Sequence, residues 1–227
     1  MGDRKAPEMM PIPMEVSHFK TYKIANFLMS ILTRSWLRLE VSGQEWIPSE
    51  GGVIVAANHQ SFLDVPILGF SIPRESRFPG KSELFIKEPW SRLLLKTGGF
   101  PLARGEGDRK AVSFSQTLLE KGVVLSIFPE GTRTRTGKIG SFHRGMGLLA
   151  IKSHAAIVPA AIWGTGLSMG PGGTFPRPGR IKVAFSAPIL PWEYPIEEMG
   201  PKEASIFLSK QAEDRVKALY ETIAPAK

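Results

Sequence analysis

The sequence predicts an α/β fold: a mostly parallel central sheet flanked by helices, with an amphipathic helical segment at the N-terminus. Three observations carry this. Continuously apolar runs at 52–57, 123–128 and 157–163 have the pattern of strands buried on both faces. Segments of helical periodicity separate them, and strand–helix alternation is how a parallel sheet is built. The chain has 227 residues and 42% of them are hydrophobic, enough for one domain with a real core and too many for a disordered chain.

Taken in order, residues 1–16 read as a flexible lead with Pro7, Pro11 and Pro13, and lack the apolar core of a signal peptide. Residues 17–39 read as a helix with Ser17 as a possible cap. Ile24, Phe27, Leu28, Ile31, Leu32 and Leu39 recur near helical spacing, with Trp36 nearby, and Lys20, Lys23, Arg34 and Arg38 add only positive charge. Such a helix suits a membrane interface or a packing face on its own domain, and periodicity does not choose. The expected organisation is a lead over 1–16, a helical segment over 17–44 and one domain over 45–227.

Gly52–Ala57 is the first buried strand, followed by a helix from about Leu63 to Phe70. Residues 88–97 read as a helix stopped by Gly98-Gly99, and Phe100–Ala103 as a strand. Asp108 caps a helix reaching Lys121, closed by Gly122. Val123–Phe128 is the second buried strand and Arg144–Ser153 a helix. Ile157–Trp163 is a third buried strand, although it contains Pro159. A Gly- and Pro-rich loop over 164–179, an alternating strand Arg180–Phe185 and an amphipathic helix 202–223 complete the chain.

No cysteine is present, which excludes disulfides, Cys-based zinc sites and a cysteine nucleophile. The four histidines have no metal-ligand spacing, and no run reaches the roughly 18 apolar residues of a membrane span. Of the net charge of +8, residues 74–144 carry +7. A patch of that kind meets nucleic acid, an anionic membrane or a phosphorylated substrate.

Three strand-end segments can carry chemistry. Asn58-His59-Gln60-Ser61-Phe62-Leu63-Asp64 follows the first strand, where α/β folds place ligands. His59 can take a proton near neutral pH, and Asp64 can fix its tautomer and stabilise the imidazolium. Five residues of straight helix rotate roughly 140°, so the two meet only if the chain turns between them. Ser61-x-x-Asp64 equally fits a capping box that merely starts a helix, and both readings can hold together. Phe128-Pro129-Glu130-Gly131-Thr132-Arg133-Thr134-Arg135 follows the second strand; Gly131 permits a tight bend, and Arg133 and Arg135 can grip a phosphate. Glu130 can anchor one arginine or orient a hydroxyl. Gly98 to Arg104, with Lys81 and Lys87 upstream, adds cations, Arg104 being the better ligand candidate.

Two motif matches are misleading. Gly166-Leu167-Ser168-Met169-Gly170 has the form of a nucleophile elbow, but Pro171-Gly172-Gly173 follows it and no histidine lies after His154. Gly145-Met146-Gly147-Leu148-Leu149-Ala150 matches a loose dinucleotide fingerprint with no strand before it. Gly145 and Gly147 there suit close helix packing.

These blocks together resemble the glycerolipid acyltransferase family, most closely 1-acylglycerol-3-phosphate acyltransferases of bacterial type. Asn58-His59-x-Ser61-x-x-Asp64, Gly98 to Arg104, Phe128 to Arg133 and Ile157 to Ala161 match its four blocks in order, over roughly residues 45–190. Lys81-x-Glu83-Leu84 and Phe142-x-x-Gly145 also sit where the family has similar residues. The second block departs at Pro101 and Ala103. The resemblance implies acyl transfer from acyl-CoA or acyl carrier protein to the free hydroxyl of lysophosphatidic acid, giving phosphatidic acid. It implies His59 as general base with Asp64, no acyl-enzyme and no metal or cofactor. It implies a phosphate held by Glu130, Gly131, Thr132 and Arg133 with Arg104 and Lys81, and support from Asn58 and Ser61. It also implies that segment 17–44 docks on a phospholipid membrane at its cytoplasmic face, and that nucleic acid is not a partner. The alternatives are a relative acting on glycerol 3-phosphate, another lysophospholipid or an amino lipid. More remote are a protein that binds anionic lipid or nucleic acid without catalysis, and a hydrolase, which would need a placed nucleophile.

Overall fold

The computed structural model describes residues 20–86, 89–102, 109–134, 136–170 and 173–225. Seven strands form one sheet: β1 (Leu39–Ser42), β2 (Val53–Ala57), β3 (Ser76–Lys81), β4 (Gly99–Leu102), β5 (Val124–Ile127), β6 (Ala156–Trp163) and β7 (Ile181–Phe185). Their order is β1-β7-β6-β2-β5-β3-β4. Every pairing is parallel except β6–β7, so β1 and β7 run against the other five. The helices are α1 (Lys20–Ile31), α2 (Asp64–Ser71), α3 (Trp90–Lys96), α4 (Arg109–Glu120), α5 (Gly145–Lys152), α6 (Thr165–Ser168) and α7 (Pro201–Ile223).

The sheet is covered on both faces. Val53, Val55 and Ala57 of β2 point to one core with Leu63, Ile67 and Leu68 from α2 and its lead-in, against which Met29 and Leu32 also pack. Ile54 and Ala56 point to the other core, with Leu118 of α4, Met146 and Leu149 of α5, and Leu208, Ala212 and Val216 of α7. This period-two division of an entirely buried strand is why β2 reads as a continuous apolar run. Pro159 is tolerated inside β6 because its carbonyl accepts from Ser186 N–H, just beyond the end of β7. A residue's N–H and C=O leave a strand on the same side, so its missing donor faces the place where the β7 ladder stops, not β2.

Two strands are additional to those expected from sequence. The expected helix over 17–39 ends earlier: α1 gives way to a π-helical turn, Leu32–Trp36, and Arg38 turns left-handed (φ 40°). Leu39 and Val41 then alternate half-buried on β7, so the sheet begins before residue 45, and the boundary placed there is corrected. In β3, Pro79 and Gly80 resemble turn residues. The strand forms because Ser76 and Arg77 pair with β5 and the remainder with β4. Within the Gly- and Pro-rich loop, Thr165–Ser168 makes one short helix. The lead over 1–16, Ser17, Lys87, Ala103, Arg104, Asp108 and Arg135 lie outside the described residues.

Close packing explains one of the two fingerprint glycines. A Cβ on Gly147 would lie 2.2 Å from the Ser205 carbonyl of α7, whereas one on Gly145 would meet nothing. Gly147, not Gly145, is what lets α5 and α7 approach.

Candidate active site

Strand register assembles the site. β2 pairs with β5 so that Val53 faces Val124 and Ala56 faces Ile127. The same offset of 71 residues sets His59 beside Glu130, and the His59 backbone N–H donates to Glu130 Oε1 at 2.8 Å. Asn58 ties the end of β2 to its other neighbour. Its fully buried side chain donates to Ile162 O at 2.9 Å and accepts from Ile162 N–H at 2.8 Å.

The chain does turn between His59 and Asp64, and Nδ1 of His59 lies 2.8 Å from Asp64 Oδ2. That oxygen also accepts the backbone N–H groups of Gln60 (2.5 Å) and Ser61 (2.7 Å). An oxygen already accepting two donors suits a third from the ring, which makes Nδ1 the donor and, in the neutral ring, Nε2 the acceptor. Asp64 is fully buried and the His59 side chain is 16% exposed. The opposite imidazole edge is thus the reachable one. Phe128 stacks on the ring at 4.2 Å between centroids, further fixing its plane.

Of the capping-box pattern of Ser61-x-x-Asp64 one half is present. Asp64 reaches back to the Ser61 N–H, but the Asp64 N–H bonds the Ser61 carbonyl, Ser61 Oγ accepts from Leu63 N–H at 3.2 Å, and α2 starts after Leu63 with no side-chain cap. The Ser61 hydroxyl itself donates to Met169 O at 2.6 Å. The hydrogen bonds of the Gln60 and Ser61 backbones to Asp64 make the turn that brings the carboxylate to the histidine.

Glu130 does not anchor an arginine among the described residues. Oε1 accepts from His59 and Oε2 from the Gly140 N–H at 2.7 Å, so this buried carboxylate clamps two loops by their backbones. Gly131 takes the left-handed conformation (φ 67°) that turns the chain at Glu130–Gly131. The Thr134 N–H returns to His59 O at 2.8 Å. Arg133 stacks its guanidinium over Phe62, 3.7 Å from the ring centroid. An open cleft of about 600 Å³ adjoins, lined by Thr132, Arg133, Thr134, Lys138 and His143 among others. Among the described residues Glu130 is its sole acidic lining residue, and both its oxygens are already occupied. Lys81 ends β3, exposed at the same carboxyl edge of the sheet.

Phe62, Gly140, Lys138 and His143 are additional to the site residues expected from sequence. Phe62 occupies a variable position of its motif, and only three-dimensional proximity links it to Arg133. Ser168 of the false elbow is buried, its hydroxyl donating to Arg177 O at 2.6 Å. Among the described residues no cluster of His, Asp or Glu could hold a metal ion.

Fold and site together define a class: an α/β protein with a His-x4-Asp pair at the carboxyl edge of its sheet, beside a cationic cleft. The chain belongs to the acyltransferase family, whose model matches residues 38–163. It is 31% identical to the chloroplast 1-acyl-sn-glycerol-3-phosphate acyltransferase of Arabidopsis thaliana, over 79% of this chain and 50% of that protein. It is 27% identical to the 1-acyl-sn-glycerol-3-phosphate acyltransferase of Bacillus subtilis, over 80% of this chain and 87% of that one. The crystal structure of the 1-acyl-sn-glycerophosphate acyltransferase of Thermotoga maritima superposes with a TM-score of 0.72 at 28% identity, covering 91% of this chain and 81% of that one. The chain spans about half the length of the plant relatives it matches.

Proposed function

We propose that the protein transfers an acyl group from an acyl thioester to the free hydroxyl of 1-acylglycerol 3-phosphate, forming phosphatidic acid. The observation that carries this reading is the His59–Asp64 pair, Nδ1 to Oδ2 at 2.8 Å, beside the cleft that contains Arg133. The names of the relatives support the acceptor.

In this mechanism Nε2 of His59 takes the acceptor's hydroxyl proton as the oxygen attacks the thioester carbonyl. Asp64 stabilises the imidazolium through Nδ1–H. The tetrahedral intermediate collapses, an ester bond forms, the C–S bond breaks, and the imidazolium returns the proton to the leaving thiolate. Base catalysis of this kind supplies about 10²–10⁴-fold, positioning and electrostatics the remainder. Arg133 binds the acceptor phosphate with Thr132 and the Gly131 turn, and Lys81 adds positive charge from the end of β3; Arg104 shares this role by the motif it belongs to. Asn58, Ser61 and Glu130 position the backbone on which the pair sits. The route needs no acyl-enzyme, metal or further cofactor. The donor is acyl-CoA or acyl carrier protein. A second reading, acyl transfer to glycerol 3-phosphate or another lysophospholipid, uses the same residues.

The reading includes docking at the cytoplasmic face of a phospholipid membrane through the N-terminal segment. Met29 of α1 and Leu32 of the π-helical turn after it pack on the domain, Thr33 of that turn is buried, and α1 leaves Ile24, Phe27, Leu28 and Ile31 exposed. Among the described residues no helix is long and apolar enough to cross a membrane. An interfacial helix needs only such an exposed apolar face with basic flanks.

The test is an assay of purified protein with 1-acylglycerol 3-phosphate and a panel of acyl thioesters. His59→Ala is expected to abolish turnover while vesicle binding persists; appreciable residual turnover overturns the base assignment. Arg133→Ala is expected to raise KM for the acceptor. A rise confined to the donor's KM would move the phosphate elsewhere.

A further inference from the structure

We propose that the loop Gly164–Arg180 is a second membrane-contacting element, meeting an anionic bilayer side by side with α1. This rests on the membrane reading above and extends it to a part of the chain 130 residues or more away in sequence.

Exposure gives the first argument. Leu167 and Phe175 are 75% and 71% exposed, more than any other large apolar side chain among the described residues. Lone exposed apolar residues are ordinary on protein surfaces, but these are not isolated. The Trp36 ring, at the end of the π-helical turn that continues α1, meets Phe175 edge-on with centroids 6.4 Å apart. Trp36 Nε1–H donates to Pro176 O at 2.8 Å, and Gly179 N–H donates to Trp36 O at 3.1 Å. Three contacts thus fasten the loop to Trp36, at the end of the π-helical turn that follows α1. Ile24, Phe27, Leu28 and Ile31 of α1, Trp36 after it and Phe175 of the loop are all exposed, and Trp36 and Phe175 touch.

Charge identifies the occupant. Neither Lys20–Leu39 nor Gly164–Arg180 contains an aspartate or glutamate. Lys20, Lys23, Arg34, Arg38 and Arg177 are all exposed. An apolar patch with an indole at its centre and cations of one sign around it complements the headgroup region of an anionic bilayer.

The loop also touches the active-site turn. Met169 O accepts the Ser61 hydroxyl, and a Cβ on Gly166 would lie 3.4 Å from the Gln60 Cβ. One short segment thus carries Leu167 and Phe175 at the surface and braces the residues between His59 and Asp64. A loop seated in the headgroups would hold His59 at a fixed height above the lipid.

The absence of cysteine allows a direct test. Single cysteines replacing Leu28, Leu167, Phe175 and, on the amino edge of the sheet, Lys121 are labelled with an environment-sensitive fluorophore. Each is mixed with vesicles of phosphatidylglycerol and phosphatidylcholine. Labels at 28, 167 and 175 are expected to shift to the blue and to be quenched by spin-labelled lipid, with no change at 121. A response at 28 alone overturns the loop proposal and leaves the helical anchor standing. Silence at 28, 167 and 175 together overturns both. If the loop labels ignore vesicles while the unlabelled protein elutes as a dimer, the patch belongs to a second copy and the proposal fails. As an independent measurement, Leu167→Ser with Phe175→Ser is expected to weaken vesicle binding about tenfold or more. Turnover of water-soluble, short-chain substrates by that variant should be unchanged. Unaltered vesicle affinity would overturn the proposal.

Discussion

The backbone N–H of His59 donates to the carboxylate of Glu130, so the loop after β2 and the loop after β5 are held as one object. Because Glu130 accepts from a second backbone N–H at Gly140, it has no tolerance for a donor in place of either oxygen. Glu130→Gln must turn an amide NH₂ towards one of these N–H groups. The expected result is a fall in kcat larger than any change in KM. A loss of about 1–3 kcal/mol in stability should accompany it. Steady-state kinetics and denaturant unfolding measure the two effects, and wild-type kcat would show that the clamp does not position His59.

Asp64→Asn tests the charge. With its amide oxygen in the Oδ2 position the side chain can still accept the ring and both backbone N–H groups, but it leaves a buried NH₂ where Oδ1 has no partner and removes the negative charge beside the imidazole. Turnover should fall about 10²- to 10⁴-fold, with the protein still folded. Circular dichroism and kcat together check this; a drop of only a few-fold would mean that the buried carboxylate serves the turn alone.

Phe62→Leu keeps an apolar side chain but removes the ring face under Arg133. A cation–π contact at a half-exposed site is worth about 0.5–1 kcal/mol, which converts to a rise in acceptor KM of about two- to fivefold. Phe62→Tyr should restore the wild-type value. If leucine and tyrosine behave alike, stacking does not hold the guanidinium.

Gly147→Ala places a Cβ where the Ser205 carbonyl stands. A backbone carbonyl in a 23-residue helix moves only if α7 moves. The expected cost is about 1–3 kcal/mol or more, read from chemical denaturation. Gly145→Ala, with open space around it, should cost nothing or stabilise slightly. Equal stabilities for the two variants would refute the close approach of α5 and α7.

Glu213 is a built-in acid sensitivity. Burial by itself would raise its carboxyl. Hydrogen bonds from Lys217, the Phe142 backbone N–H and Lys210 outweigh this and hold its pKa below the ordinary value. A depressed carboxyl stabilises fully above its unfolded pKa, about 4.3. That contribution is lost as pH falls through the lower folded value. Melting temperature should therefore decline more steeply for wild type than for Glu213→Gln below about pH 5. Parallel curves would show that Glu213 contributes no pH-linked stability.

The parts of this molecule that were legible in the sequence are those with one-dimensional signatures. β2, β5 and β6 declare themselves because both faces are buried, and Ser61-x-x-Asp64 because a capping-box bond has a fixed spacing. Knowing that β2 and β5 are neighbours requires the sheet order, and with it the Glu130–His59 clamp becomes visible. β1 and β3 escape because half-burial at an edge and a Pro-Gly pair imitate a helix end and a turn. Phe62 and Arg133 lie 71 residues apart in sequence and meet only through that same strand register. Of the two interpretations open for the helix read over 17–39, the structure shows packing on the domain at Met29 and leaves Ile24, Phe27, Leu28 and Ile31 exposed, which periodicity alone could not reveal.

The position of β2 has a consequence for the order of events during synthesis. Its hydrogen-bonding edges are filled by β5 and β6, and Asn58 finds Ile162 only 104 residues later in the chain. A nascent chain emerging from the ribosome therefore carries Val53–Ala57 as a bare apolar strand for much of its elongation, the kind of segment that invites misassembly. The β5 strand that covers one edge of that segment also brings Glu130 to the His59 N–H, so the same pairing hides the adhesive edge and ties down the histidine loop.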